Sequence, residues 1–173
     1  MILRELLDRD PKNNTATFWL AYLHVYYNWL LGADSLDKAT ELLNQIIISG
    51  DSWWGAAARM VLYGALRARD RSDAFRAVRI TCLEESVNAQ PEWILNHRYL
   101  GFEHLEAQRY AEAFDQIKTA QRNTALPKPQ IVDLIDFRFE SLVTGRLARN
   151  IEKRLATFEE KILQKQSGAE PIE

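Results

Sequence analysis

The stretch that decides the fold is Arg98–Ala120, RYLGFEHLEAQRYAEAFDQIKTA. It predicts one helix, a tight turn and a second helix packed back against the first. Gly101 and Ala113 are the small residues at which two antiparallel helices can touch, and Ile117 continues the contact. Such a pair cannot bury its own apolar face, so we expect the rest of the chain to supply neighbouring helices.

This stretch resembles a tetratricopeptide (TPR) repeat. Leu100-Gly101 is followed by Ala113 at the spacing of that family, while His97 and His104 occupy its aromatic positions and Ala125 stands where its closing proline is expected. The resemblance implies an all-α, right-handed superhelical solenoid of antiparallel helix pairs. We expect about three pairs plus capping helices.

The composition supports a folded helical chain. Of the 173 residues, 47% are apolar and 27% are charged, which is typical of a globular protein. Only five prolines and seven glycines occur, and there are no runs of alternating β-branched residues. We therefore predict one TPR-like domain over residues 1–166 and a disordered tail over 167–173.

Charge and cysteine content exclude several classes of function. The net charge of −2 gives no global attraction to nucleic acid or to an acidic membrane. Cys82 is the only cysteine, so no intramolecular disulfide can form. The first ten residues carry acids, unlike a secretory signal, and no stretch is long enough to span a membrane. A cytoplasmic location follows as the expectation.

Five further helices are predicted before the clear repeat. They run over Ile2–Leu7, from an N-cap at Asn13 or Asn14 through Trp29 and Leu30 to Gly32, from an N-cap at Ser35 to Gly50, from an N-cap at Asp51 or Ser52 to Arg69, and from Ser72 to Pro91.

Small residues are expected to join these helices as they join the clear repeat. Ala21 and Ala39 would be the touching residues of the first pair. In the second pair Ala74 would meet Ala58, or Gly64 or Ala65 in its place. The buried stripe of the helix that begins at Ser72 would include Ala74, Phe75, Val78, Thr81, Cys82 and Val87.

The chain after the repeat predicts a closing unit. Pro127 and Pro129 force a break, a helix follows over 130–144, and Gly145 ends or bends it. The last helix is charged on one side and apolar on the other. Its apolar stripe, Leu147, Ile151, Leu155, Phe158 and Ile162, fits a solenoid cap.

Nothing in the sequence predicts catalysis, a cofactor or a metal. His97 and His104 lie seven residues apart on one helix, about 10 Å along its axis, too far to bind one metal without a third element. Together with His24 they complete the histidines, and we expect core packing for His97 and His104. No phosphate loop, nucleophile elbow or paired-cysteine motif occurs.

A group of arginines falls near the middle of the chain: Arg59, Arg67, Arg69, Arg71, Arg76 and Arg79. We favour a solvated turn with helix-end cations, because three of the six lie on or beside the turn. The alternative is a patch for an acidic peptide, a phosphate or a nucleic acid.

The TPR resemblance implies a concave groove lined by the first helix of each pair. Carried over to this chain, its residues are Phe18, Tyr22, Val25, Tyr26, Arg59, Leu62, Tyr63, Leu95, Arg98, Phe102, Leu105 and Glu106. Such a groove suits an extended or helical peptide with apolar anchors and some negative charge. The alternative is that several of these aromatics, above all in the first long helix, belong to the core.

The leading functional hypothesis is a non-catalytic protein-protein interaction adaptor that binds a partner peptide or helix in this groove. The layout is also similar to class II chaperones of type III secretion. A second hypothesis is self-assembly into a homodimer through exposed aromatics of the first long helix. A third, less favoured, is a helical-repeat nucleic-acid binder that uses the arginines.

Overall fold

The computed structural model describes residues 2–123 and 151–168, with side chains from residue 156 onward in the second stretch. These residues form helices and no strand, which confirms an all-α fold for them. The α-helices are α1 (Ile2–Arg9), α2 (Asn14–Tyr26), α3 (Asn28–Leu31), α4 (Ser35–Ile48), α5 (Ser52–Arg69), α6 (Arg76–Ala89), α7 (Ile94–Glu106), α8 (Tyr110–Asn123) and α9 (Ile151–Ser167).

Some sequence predictions lie outside the described residues. These are the break at Pro127 and Pro129, the helix over 130–144, the role of Gly145, the packing of Leu147, Ile151 and Leu155, and the tail over 169–173. Ser167, predicted to begin the tail, is still helical.

The chain divides into two compact units, Met1–Gln90 and Pro91–Glu173. The boundary follows the end of α6, at the proline that was predicted to close the second helix pair. A single domain over 1–166 was predicted from the sequence.

The predicted helix starts at Asn13 and Asp51 are confirmed. The side chain of Asn13 accepts a hydrogen bond from the backbone N–H of Ala16 at 2.9 Å, and that of Asp51 accepts one from Trp54 at 2.8 Å. Each carboxamide or carboxylate satisfies an N–H that the helix leaves without a partner. Gly50, with φ +78°, follows Ser49, the C-cap of α4, at the position where a left-handed conformation favours glycine.

The first long helix is shorter than predicted. It ends at Tyr26 because Tyr27, at φ −119° and ψ 27°, leaves the helical region. A separate single turn, α3, carries Trp29 and Leu30 and ends at Gly32, whose φ of +99° closes it.

Ser35 is not the N-cap that the sequence predicted; Asp34 takes that position. The Ser35 hydroxyl instead donates to the backbone carbonyl of His24 at 2.9 Å. His24 Nδ1 lies 2.8 Å from the hydroxyl oxygen, Ser35 Oγ. Because that hydroxyl hydrogen is already used, Nδ1–H of His24 must donate to Ser35. Burial, with smaller contributions from Lys38 and Arg4, lowers the pKa of His24. This polar contact ties α2 to α4.

In the first unit each long helix packs against the next. Contacts join α1 to α2, α2 to α4, α4 to α5 and α5 to α6, and α2 also packs directly against α5. Ala21 and Ala39, predicted to bring α2 and α4 together, are both completely buried. A Cβ on Gly64 would lie 3.2 Å from the Tyr26 hydroxyl and 3.6 Å from Val25 Cγ1, so this glycine permits the approach of α2 to α5.

The contact predicted between Ala58 and Ala74 is wrong. Ala74 lies in a 3-10 turn, Asp73–Phe75, and is exposed, as are Phe75 and Val78. Because α6 starts only after this turn, its buried side begins at Arg79 and continues through residues further along the helix. Of the two alternatives to Ala58, Gly64 faces α2 and Ala65 is buried.

The α5/α6 contact uses hydrogen bonds to backbone carbonyls. Ser86 donates to the carbonyl of Ala56 at 2.8 Å, and the Cys82 thiol donates to the carbonyl of Arg59 at 3.2 Å. Ser86 is completely buried. Polar side chains therefore take the place that a small residue was predicted to hold.

In the second unit the contact between Gly101 and Ala113 is confirmed. A Cβ on Gly101 would lie 3.3 Å from the backbone carbonyl oxygen of Ala113 and 3.2 Å from Ile117 Cδ1. Gln108, at φ 59°, makes the tight turn between α7 and α8. Only a residue without a Cβ leaves this distance between the helices undisturbed.

His97 and His104 are both buried, as predicted. The His97 Nε2–H donates to the carbonyl of Pro91 at 2.7 Å, and Nδ1 lies 2.7 Å from Gln116 Oε1. His97 thus joins α7 to α8 and to the chain that precedes α7.

Helix α9 packs against α8, as a cap should. Ile162 is completely buried and Phe158 is partly buried, which confirms these two members of the predicted stripe. The carboxylate of Glu159 accepts hydrogen bonds from Lys118 Nζ at 2.6 Å and from Gln121 Nε2 at 2.8 Å. These two hydrogen bonds lower the pKa of the Glu159 carboxyl group.

Candidate partner-binding surface

Half of the predicted groove belongs to the core. The side chains that the structure buries are Phe18, Tyr22, Val25, Tyr63, Leu95 and Leu105. Their prediction as open groove residues is wrong, because neighbouring helices already cover them. For Phe18 and Tyr22 this outcome matches the alternative that the apolar character of the first long helix had indicated.

The remaining groove residues are partly or fully exposed. Tyr26, Arg59 and Leu62 are half-buried in the first unit. Arg98 and Phe102 are half-buried in the second unit, where Glu106 is exposed.

Arg59 and Phe102 already have partners in their own unit. Arg59 Nε donates to Glu85 Oε2 at 2.7 Å, so the charge expected to attract an acidic guest is balanced within the chain. The ring of Phe102 stacks on Phe158 of α9 with 6.2 Å between centroids.

The structure assembles a continuous set of aromatic rings in the first unit, which we call the aromatic row. Its six members are Trp53, Trp54, Phe18, Trp19, Tyr22 and Tyr26, in order of contact. Centroid distances between neighbours run from 4.3 Å, between Tyr22 and Tyr26, to 5.5 Å, between Trp19 and Tyr22. These are the separations at which aromatic rings attract one another.

The aromatic row has a buried base and a half-exposed edge. Phe18 and Tyr22 are buried, whereas the four half-buried rings are Trp19, Tyr26, Trp53 and Trp54. Aromatic side chains offer a large contact area with few rotatable bonds, so binding orders them at little entropic cost. A row held by buried rings is therefore suited to receive apolar groups of a partner.

Sequence reasoning missed Trp19, Trp53 and Trp54 as surface residues. A signal was present for Trp19, which lies three residues before Tyr22 and seven before Tyr26, on one helix face. No spacing could have found the two others, because they reach the row from α5, through the contact between Trp54 and Phe18 at 5.4 Å.

Most of the arginine group serves the fold. Besides Arg59, four arginines have partners within the chain. Arg67 donates to Tyr63 Oη at 2.7 Å, and Arg79 donates to the carbonyl of Asp70 at 2.9 Å. Arg69 forms an ion pair with Asp37, and Arg76 forms one with Asp73 at 2.6 Å. Arg79 is also buried. Arg71 is exposed. These contacts favour the interpretation as a turn and helix-end cations.

A second apolar surface lies where α2 ends and α3 begins. Its members are Leu23, Tyr27, Trp29, Leu30 and Leu31, and we call it the α3 patch. All five are exposed, Trp29 by 78% and Leu30 by 67%. The chain from Asn13 to Ala33 contains no Asp, Glu, Lys or Arg, so this surface carries no formal charge of its own.

The remaining candidates for chemistry are few. Burial raises the pKa of the Cys82 thiol to about 12, with a further increase from Glu85, so the thiol stays protonated and a poor nucleophile at neutral pH. Within the described ranges, 2–123 and 151–168, no group of three or more His, Cys, Asp or Glu side chains could hold a metal ion. No helix in the same part of the chain combines the length and apolar character needed to cross a membrane.

Compared with known proteins, this chain matches no family model, no curated protein and no solved structure.

Proposed function

We propose that this chain is a non-catalytic, TPR-like interaction module that binds an apolar segment of a partner protein along the aromatic row. The observation that carries the proposal is the row itself: six contiguous rings, four of them half-exposed, drawn from α2 and α5. Rings of this kind are the side chains that most often dominate binding between proteins.

Helix packing supports the TPR-like part of the proposal. In the first unit α2 and α4 form one pair, α5 and α6 form the next, and α2 also packs on α5. Two consecutive helix pairs of a solenoid have this set of contacts. The meeting of α7 and α8 at Gly101 supports the same arrangement in the second unit.

The guest that we expect differs from the one predicted from sequence. The guest predicted from the sequence had apolar anchors and some negative charge, the latter because of Arg59 and Arg98. The guanidinium of Arg59 is already bonded to Glu85. The exposed edge of the aromatic row offers four half-buried rings. We therefore propose a segment with aliphatic or aromatic anchors, bound as an extended strand of chain or as an amphipathic helix.

Selection from a displayed library of random peptides tests the proposal, because this experiment does not require the sequence of the partner. We expect the enriched peptides to share apolar anchors. Substitution of Trp53→Ser or Tyr26→Ser should weaken their binding by at least about tenfold, since tryptophan and tyrosine are among the interface residues whose truncation costs most. Fluorescence anisotropy of a labelled peptide measures the loss.

Trp29→Ser is the matched control, because it removes an even more exposed tryptophan from the α3 patch. It should leave peptide binding unchanged. A library that yields no apolar peptide, or selected peptides that bind the Trp53 and Tyr26 variants as tightly as the original chain, would refute the proposal.

A further inference from the structure

Beyond the proposed peptide site, the exposed position of the α3 patch requires an explanation of its own. Leu23, Tyr27, Trp29, Leu30 and Leu31 expose between 39% and 78% of their surfaces. Scattered exposed apolar residues are ordinary, but here five of them fall within nine consecutive positions. Trp29 and Leu30, the two most exposed, stand on a single helical turn that the break at Tyr27 separates from α2.

We propose that a second copy of this chain covers the α3 patch, so that two chains form a symmetric homodimer through Leu23, Tyr27, Trp29, Leu30 and Leu31. This contact is independent of the aromatic row. The exposed area of the patch, its lack of charged residues and the charged residues at its rim favour a second copy as the partner.

The area fits a weak dimer. With about 150–250 Å² for each aromatic side chain and somewhat less for each leucine, the exposed fractions of the five correspond to roughly 500 Å² in one chain. A two-fold contact brings the same patch from both chains, so roughly 1,000 Å² would be buried, near the lower limit for a specific protein interface. Because the area is near that limit, the dimer should dissociate on dilution.

The charges fit a second copy. A symmetric contact places equal charges opposite one another near its axis, which a charged patch would oppose. Here the whole stretch from Asn13 to Ala33 lacks Asp, Glu, Lys and Arg. His24 within it is buried, and this burial lowers the pKa of its imidazole.

The rim of the patch carries both signs, as a self-complementary surface requires. Asp34 follows the patch directly in the chain and is exposed. Lys38 is exposed one helical turn beyond Asp34, and Arg4 is exposed on α1, which packs against α2. A two-fold axis through the patch lets the acid of one copy approach a base of the other.

Analytical ultracentrifugation of the full chain over a wide concentration range tests the proposal. We expect a reversible monomer–dimer equilibrium, and we expect Trp29→Asp to raise its dissociation constant at least about tenfold. Ile48→Asp is the matched control, since Ile48 is an 82% exposed apolar residue on α4 outside the patch. It should leave the equilibrium unchanged, as should Tyr26→Ser in the aromatic row.

Hydrogen exchange at low and high protein concentration locates the contact. Protection that grows with concentration should be confined to peptides covering residues 23–31. A chain that stays monomeric at millimolar concentration overturns the proposal, and so does a dimer that Ile48→Asp weakens as much as Trp29→Asp. Trp29-dependent sedimentation of a monomer with phosphatidylcholine–phosphatidylserine vesicles would overturn it in favour of a lipid surface.

Discussion

The α7/α8 pair and the α5/α6 pair join antiparallel helices by different means. In the first, a glycine opposite an alanine lets two backbones approach, and Ile117 fills the space beside them. In the second, Ser86 and Cys82 reach across to carbonyl groups of α5. A small residue shortens the distance between helices, whereas a short polar side chain bonds across it. Similar pairing therefore has two sequence signatures, of which only the first is easily recognised.

Thiol reactivity of Cys82 should show the largest effect at the α5/α6 contact. Burial raises its pKa from 9.0 to about 12. At pH 8 we therefore expect an aromatic disulfide reagent to react about a thousandfold more slowly with the folded chain than with the chain unfolded in guanidinium, because the thiolate is the reactive form.

The raised pKa of Cys82 also makes the free energy of unfolding depend on pH. Between pH 9.0 and about 12 the unfolded chain releases the thiol proton while the folded chain keeps it, so the stability contribution present below pH 9 is lost as the pH rises through this window. If Cys82 reacts with the disulfide reagent equally fast in the folded and unfolded chains, this thiol is not buried at the α5/α6 contact.

Ala113→Leu tests the small-residue contact of α7 and α8. Ala113 is completely buried and its carbonyl lies against Gly101, so a leucine must push the helices apart. We expect a loss of about 3 kcal/mol in the free energy of unfolding, measured by urea denaturation. The control is Ala111→Leu on the exposed side of α8, which should change stability by less than about 0.5 kcal/mol.

Ser86→Ala tests the polar contact. It removes a buried hydrogen bond to the carbonyl of Ala56 and should cost about 1 kcal/mol. Ser52→Ala, at an exposed serine in the first turn of α5, serves as the control in the same denaturation experiment. If both variants are equally stable, the hydroxyl of Ser86 does not hold α6 in place.

The smallest effect is expected at Ala74, the position that the repeat pattern matched to Ala113. Ala74→Leu should leave the free energy of unfolding within about 0.5 kcal/mol, because the residue is exposed in the 3-10 turn. Calorimetry of Ala74→Leu beside Ala113→Leu makes the comparison direct. A loss as large as that of Ala113→Leu would mean that α6 packs in the register that the sequence predicted.

Sequence patterns located the helices better than their faces. The caps at Asn13 and Asp51 and the contact at Gly101 depend on residues close in the chain or on one short spacing, and all three were predicted. The register of α6 was missed because a 3-10 turn shifts the start of the helix. Exposure along α2 could not be predicted, since a helix that is apolar on nearly every side does not indicate which side faces a neighbour.

By itself, the sequence determined that this chain is helical, where most of its described helices begin and end, and that α7 and α8 touch at a glycine. Local backbone preferences and hydrogen bonds within a turn are enough for these features. The tertiary structure alone decided that Phe18 and Tyr22 are covered, that Trp53 and Trp54 extend a row of rings from another helix, and that α3 exposes its apolar side chains. Burial depends on neighbours far away in the chain, and no short spacing encodes it.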